Sequence, residues 1–137
     1  MKAITIKNPW AHLIVKGIKD IENRSWPTKY RGKVLIHSSQ KIDHRFRAMN
    51  IMFTPEQWEV LPEIEQRKAV CGIYNSSAII GEVDIVDCIR NSNSIWAIPN
   101  DWHWVLANAK MYENPIQNIK GKLSFWEYTS QQKPSNK

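Results

Sequence analysis

Gly17-Ile18-Lys19-Asp20-Ile21-Glu22-Asn23-Arg24 is the densest polar cluster in the chain, and the fold can be read outward from it. Just upstream, Asn8-Pro9-Trp10 has the composition of a helix start, with Asn8 as N-cap and Pro9 in the first helical position. Trp10, Leu13 and Ile14 fall at i, i+3 and i+4, one apolar face of a two-turn helix. Gly17 stops that helix, because the residue just past a helix end usually needs the left-handed backbone that glycine reaches without strain. Residues 18–24 then read as extended. Period two puts Glu22 and Arg24 on one face and gives Lys19 the opposite parity. Lys19 joins them only if it lies in the turn before the strand begins, which Gly17 favours. In that arrangement Lys19 and Arg24 offer donors to a phosphate or carbonyl oxygen, and Glu22 holds one of them in place. The residues alone equally admit a structural ion pair at a helix–barrel junction, and both readings stay open.

Working outward, Lys2 to Lys7 is a first strand with Ile4 and Ile6 pointing one way. Trp26-Pro27 opens a loop that runs to Arg31-Gly32, and Lys33 to Ser39 is a second strand. A helix is expected over residues 42–51. Thr54-Pro55-Glu56-Gln57 matches a capping box and starts another, which Pro62 breaks or restarts. This acidic region, up to Ala69, reads as a cover over one end of the fold. Ser77 to Arg90 is the longest strand signal, and Gly81 within it marks a bulge or a close backbone approach. Trp102 to Leu106 is a further strand, Asn114-Pro115 turns the chain, and Lys122 to Thr129 is the last strand. The polar residues 131–137 are expected to be a disordered tail after a single domain over 1–130. Five or six strands interrupted by helices imply an α+β fold, a small mixed barrel flanked by helices. Alternating βα units and glycine-rich phosphate loops are missing, which argues against a dinucleotide fold or a P-loop NTPase and implies no cofactor.

Composition narrows the function classes. The net charge of +6 is polarised: residues 1–50 carry 11 Lys and Arg against 3 acids, whereas residues 51–100 carry 3 basic and 7 acidic groups. A basic N-terminal third suits a polyanion partner, although surplus lysine also serves solubility. The seven tryptophans suit base stacking as well as core packing. Trp10, near a helix N-terminus, could stack on a base but is favoured as the core anchor of its helix. Trp26, in its loop, is a candidate to stack on a base, and Lys29, Arg31 and Lys33 are candidates for phosphate contacts. Cys71 and Cys88 make no disulfide framework and are expected to be buried. With His37, His44 and His103 they show no metal-ligand spacing, so no metal is expected. No apolar run is long enough to span a bilayer and no signal peptide is legible, which places the chain in the cytoplasm with no membrane partner.

Gly17, Lys19, Glu22 and Arg24 spell G-x-K-x-x-E-x-R, which resembles the signature of the ASCH domain family, relatives of the PUA domain. The neighbours Pro9-Trp10-Ala11, Trp26-Pro27-Thr28, Tyr30-Arg31-Gly32 and Leu35-Ile36-His37 are similar to that family too. So are Gly81-Glu82-Val83 and Trp102-His103-Trp104-Val105-Leu106, so the resemblance covers residues 2–128. It implies a PUA-like β-barrel flanked by helices, with a cleft for RNA or a nucleotide-like ligand. Gly17, Lys19, Glu22, Arg24, Trp26 and Arg31 are then the ligand-binding candidates. Some similar proteins hydrolyse acylated cytidine, and ribonuclease activity has been proposed for others. That makes Lys19 and Glu22 catalytic candidates for an N4-acylcytidine amidohydrolase-like or ribonuclease reaction. The amidohydrolase-like members carry a threonine near the position of Glu22, so this chain departs from their pattern there. A third reading is a protein-interaction module that uses the acidic segment 54–69.

Overall fold

The alternation of Ile4 and Ile6 becomes β1 (Lys2–Asn8), and the Trp10/Leu13/Ile14 face becomes α1 (Trp10–Val15) in a computed structural model that describes residues 1–43 and 53–129. Next come β2 (Ile21–Arg24), β3 (Gly32–Ile42), α2 (Pro55–Val60) and α3 (Glu63–Cys71). β4 (Ala78–Ile89), β5 (Trp102–Ile116) and β6 (Phe125–Glu127) complete the described elements. The strands form one mixed sheet in the order β2-β5-β4-β3-β1-β6, in which only β1 and β3 run parallel. The α+β class holds, but the sheet does not close into the expected barrel, since β2 and β6 remain its two edges. It curls strongly all the same. Trp104 of β5 stacks on Phe125 of β6 with ring centroids 5.3 Å apart, although β4, β3 and β1 lie between those strands in the sheet. Ile4, Ile14, Val34, Ile36, Val83, Ile85 and Trp104 fill the concave side. A second cluster of Leu13, Ile21, Phe53, Leu61, Ala69 and Trp96 lies under α2 and α3.

Local chemistry explains the connections. Asn8 ends β1 and Pro9 takes the N-cap position, one residue later than expected, yet Asn8 Oδ1 still accepts the His12 N–H at 3.1 Å. At the other end of α1, Gly17 adopts φ +78°. Its N–H donates to Ile14 O and the Ile18 N–H to Leu13 O, both at 3.0 Å. This is the paired Schellman pattern, completed by apolar packing of Ile18 against the Leu13 cluster. The Thr54 capping box is present: Thr54 Oγ1 accepts the Gln57 N–H while Gln57 Oε1 accepts the Thr54 N–H. Pro62 restarts the chain as the N-cap of α3.

Several sequence expectations are corrected. Ile42 ends β3 and Asp43 lies in a loop rather than a helix; residues 44–52 and 130–137 lie outside the described residues. Asn114 and Pro115 do not turn the chain but sit inside β5, which is far longer than its apolar start suggests. β2 pairs only Trp102–Val105, so the far half of β5 has an open edge where a residue without an N–H is tolerated. The last strand is shorter than Lys122–Thr129, because Ser124 turns left-handed at φ +54° immediately before it. Cys71 is exposed at the end of α3, and Cys88 is only half-buried, packed against the edge of the main core.

Gly81 is a close-approach position. A Cβ there would collide with the Lys110 carbonyl and lie 2.7 Å from Val15 Cγ1, where α1 packs on β4. Gly81→Ala is expected to lower stability by about 3 kcal/mol or more through overpacking, read as a shift of the urea midpoint.

His37 supplies a second prediction. Trp126 Nε1–H donates to Thr5 Oγ1 at 3.1 Å, and Thr5 Oγ1 meets His37 Nδ1 at 3.1 Å. His37 Nε2 meets Ile119 O at 2.6 Å. With Ile119 O as acceptor, the chain is satisfied by a neutral ring that donates from Nε2 and accepts at Nδ1. Burial holds the His37 pKa below the usual histidine value, outweighing the Ile119 carbonyl. Burial also lowers that of His12, against the pull of Glu65. The unfolded chain therefore takes up these protons first, so stability is full above about pH 6.5 and falls as the pH drops below it. Thermal melts between about pH 7 and 5.5, above the carboxylate range, should show a falling midpoint; a flat midpoint would contradict this reading of the histidines.

Candidate functional site

The unclosed sheet leaves a seam between β2 and the second half of β1, where β6 pairs only Lys2–Ile4. A cleft of about 610 Å³ occupies this seam, lined on one side by Thr5, Ile6 and Lys7 and on the other by Glu22, Asn23 and Arg24. Trp10, Lys19, Asp43, Thr54 and Gln57 border it, as does the loop segment Ile95–Pro99.

The Schellman turn aims Lys19 into this space. Its N–H donates to Leu13 O at 3.1 Å, so the residue is fixed in the turn and escapes the parity of β2. Lys19 is 5% exposed, and its Nζ donates to Ile21 O and lies 3.8 Å from Glu22 Oε1. It also lies 5.9 Å from the centroid of the Trp10 ring. Glu22, 8% exposed, receives Arg24 Nε on its other oxygen at 2.7 Å. One carboxylate is thus shared by two cations. Burial pulls the Lys19 pKa below the usual lysine range; Glu22 and Asp20 push back, and Arg24 adds to the drop. Arg24 Nη2 crosses the seam to Thr5 O at 3.4 Å.

The far wall is tied on by side chains. Asn23 Nδ2 donates to Trp96 O at 3.0 Å, and Asn23 Oδ1 accepts the Ile98 N–H at 2.8 Å. Asp20 Oδ1 accepts the Ser94 hydroxyl at 2.7 Å. His103 adds two more anchors: its Nδ1 accepts the Ser92 N–H and its Nε2 meets Ile98 O. Gln57 Nε2 donates to Ile95 O at 2.7 Å, which joins the capping box of α2 to the same loop. Trp10 supplies the aromatic wall. Its Nε1 donates to Asp43 Oδ2 at 2.9 Å, and Phe53 and Trp96 pack against it at 5.3 and 6.5 Å.

Of the sequence candidates, Lys19, Glu22 and Arg24 come together on the floor, where Lys19 and Arg24 offer donors and Glu22 orients them. Gly17 does not line the cleft; its backbone turn positions Lys19. Trp26 lies outside it, against the far side of Arg24. Arg31 is a loop tie, donating from Nη1 to Thr28 O and Tyr30 O. Trp10, favoured as a core residue, packs in the core and borders the cleft as well. Asp20 and Asn23 had a signal in lying within the polar cluster, whereas nothing local marks Trp96 or the 94–99 loop. His37 and His103 are buried structural residues. Among the described residues no group of His, Cys, Asp and Glu could hold a metal ion, and no helix is long and apolar enough to cross a membrane.

Comparison with known proteins gives a consistent picture. A family model of the ASCH domain matches residues 4–122. The chain is 31% identical over 135 residues to Activating signal cointegrator 1 of human and, equally, of mouse, with 93% of this chain aligned. It spans only 22% of the length of those relatives.

The shared carboxylate makes an asymmetric prediction. Glu22→Gln leaves the buried Lys19 and the partly buried Arg24 without their shared counter-charge and should cost about 3 kcal/mol or more. Lys19→Met leaves the Glu22–Arg24 pair intact and should cost clearly less, both measured by chemical denaturation.

Proposed function

The chain belongs to the ASCH domain family, and on that footing we propose that the seam cleft binds RNA by taking in one unpaired nucleotide. The family is associated with RNA binding. The observation that carries the reading is the pairing of an anchored indole, Trp10, with a floor of fixed donors in one cleft. About 610 Å³ lies within the roughly 300–1,000 Å³ common to small-ligand sites. Unpaired bases are recognised by stacking on aromatic rings and by hydrogen bonds to their edges. Trp10 offers the ring, while Lys19 and Arg24 offer charged donors whose orientation Glu22 fixes in advance. Lys7, exposed on the rim, suits a backbone phosphate.

One observation favours a second reading, hydrolysis of a nucleotide-like substrate such as an acylated cytidine or an RNA strand. Burial draws the Lys19 amine toward the neutral form that a nucleophile or base requires. Glu22 works against it by stabilising the ammonium.

Titration of a single-stranded RNA oligomer tests the first reading. Trp10→Leu, which keeps an apolar side chain in place, should weaken binding roughly tenfold or more, as for the loss of a stacking ring. Lys7→Ala should reduce the salt dependence by about one phosphate contact. Unchanged affinity in Trp10→Leu would remove the basis for the reading. Mass spectrometry of the same RNA, and of acylated cytidine, after incubation with wild type and Lys19→Met decides the second reading. A product formed by wild type alone establishes it.

A further inference from the structure

Trp26, at 41%, is the most exposed aromatic residue among the described residues. It is nonetheless held in place. Trp104 Nε1 donates to Trp26 O at 3.1 Å, and the Trp104 ring packs edge-on against Trp26 at 6.4 Å. The Arg24 guanidinium carbon lies 5.5 Å from the Trp26 ring centroid. An indole that is held in place yet keeps two-fifths of its surface in solvent presents a ready flat surface to a second ring.

Its position relative to the cleft gives that surface a direction. Arg24 lines the cleft and bonds the Glu22 floor through Nε, while its guanidinium also covers Trp26. A single side chain therefore separates the inner site from the exposed ring. The cross-strand partner of Arg24 is Trp102, and the Arg90 guanidinium lies over the Trp102 ring at 5.1 Å, so a second indole–guanidinium pair follows on the neighbouring strands. Indoles interleaved with guanidiniums along a path out of a pocket are what a single strand requires: rings for successive bases, and cations for the phosphates between them.

We infer that the ligand leaves the cleft as a continuing strand, and that the nucleotide next to the one inside stacks on Trp26, with Arg24 between the two bases. The site is then one for single-stranded RNA of two or more nucleotides rather than for a free nucleotide. This inference rests on the reading of the cleft as an RNA site.

The test compares the four ribonucleoside 5′-monophosphates with a mixed-sequence pentaribonucleotide, each titrated by calorimetry into wild type, Trp26→Ala and Trp26→Tyr. Wild type should bind the pentanucleotide at least tenfold more tightly than any monophosphate. Trp26→Ala should lose most of that gain and keep the monophosphate affinity, and Trp26→Tyr, which retains a ring, should restore the gain. A full gain in Trp26→Ala overturns the outer subsite, and so does a loss of monophosphate binding in that variant, which would make Trp26 a support of the inner cleft. If wild type binds neither ligand, the reading of the cleft itself fails, and that outcome is distinct from the other two.

Discussion

A sheet that curls almost to closure leaves backbone polar groups along both sides of its gap, and these need partners once water is restricted. Arg24 meets that need from β2 by donating across the seam to Thr5 O. Its charge must in turn be compensated, and Glu22, two residues earlier on the same face, does so at 2.7 Å. Glu22 has a second oxygen to satisfy, and Lys19 approaches it. The polar floor follows from the geometry of the gap, one residue compensating the next. The cleft exists because the sheet is incomplete, and its floor is polar because incompleteness exposes backbone.

The helix before β2 makes this arrangement reachable. Had residues 18–24 formed one continuous strand, Lys19 would point away from Glu22. The Schellman turn at Gly17 directs the N–H groups of both Ile18 and Lys19 to the Leu13 carbonyl and starts the strand only at Ile21. A left-handed glycine thus decides the composition of a charge cluster several residues downstream.

How much could be read from the sequence depended on the range of the signal. Gly17, the Thr54 capping box, Gly81 and the shared face of Glu22 and Arg24 are written in neighbouring residues, so they were legible. The barrel was not, because whether a curled sheet closes depends on how far its edge strands reach, and the four residues of β2 and three of β6 carry no such information. The far half of β5 was missed because its exposed residues, Ala109, Lys110 and Glu113 among them, lack the apolar alternation that marks a strand. Half of the site was hidden for a similar reason. The bonds from Asp20 and Asn23 span more than 70 residues to the 94–98 loop. Which tryptophan borders the cleft and which lies beyond it is a matter of tertiary packing: Trp10 borders it while also packing on Phe53 and Trp96, and Trp26 stands beyond Arg24.

The way that loop is attached has a consequence for substitution. Its links to β2 run through the side chains of Asp20 and Asn23, and on the loop side they reach mainly backbone atoms and one serine hydroxyl. Backbone atoms are the same whatever residue occupies the position. Ile95 and Pro99, both exposed, can therefore be exchanged for other residues without disturbing the sheet register or the Glu22 cluster. Floor and wall are held on different terms: the floor depends on which side chains stand at Lys19, Glu22 and Arg24, while the wall is anchored chiefly through its backbone.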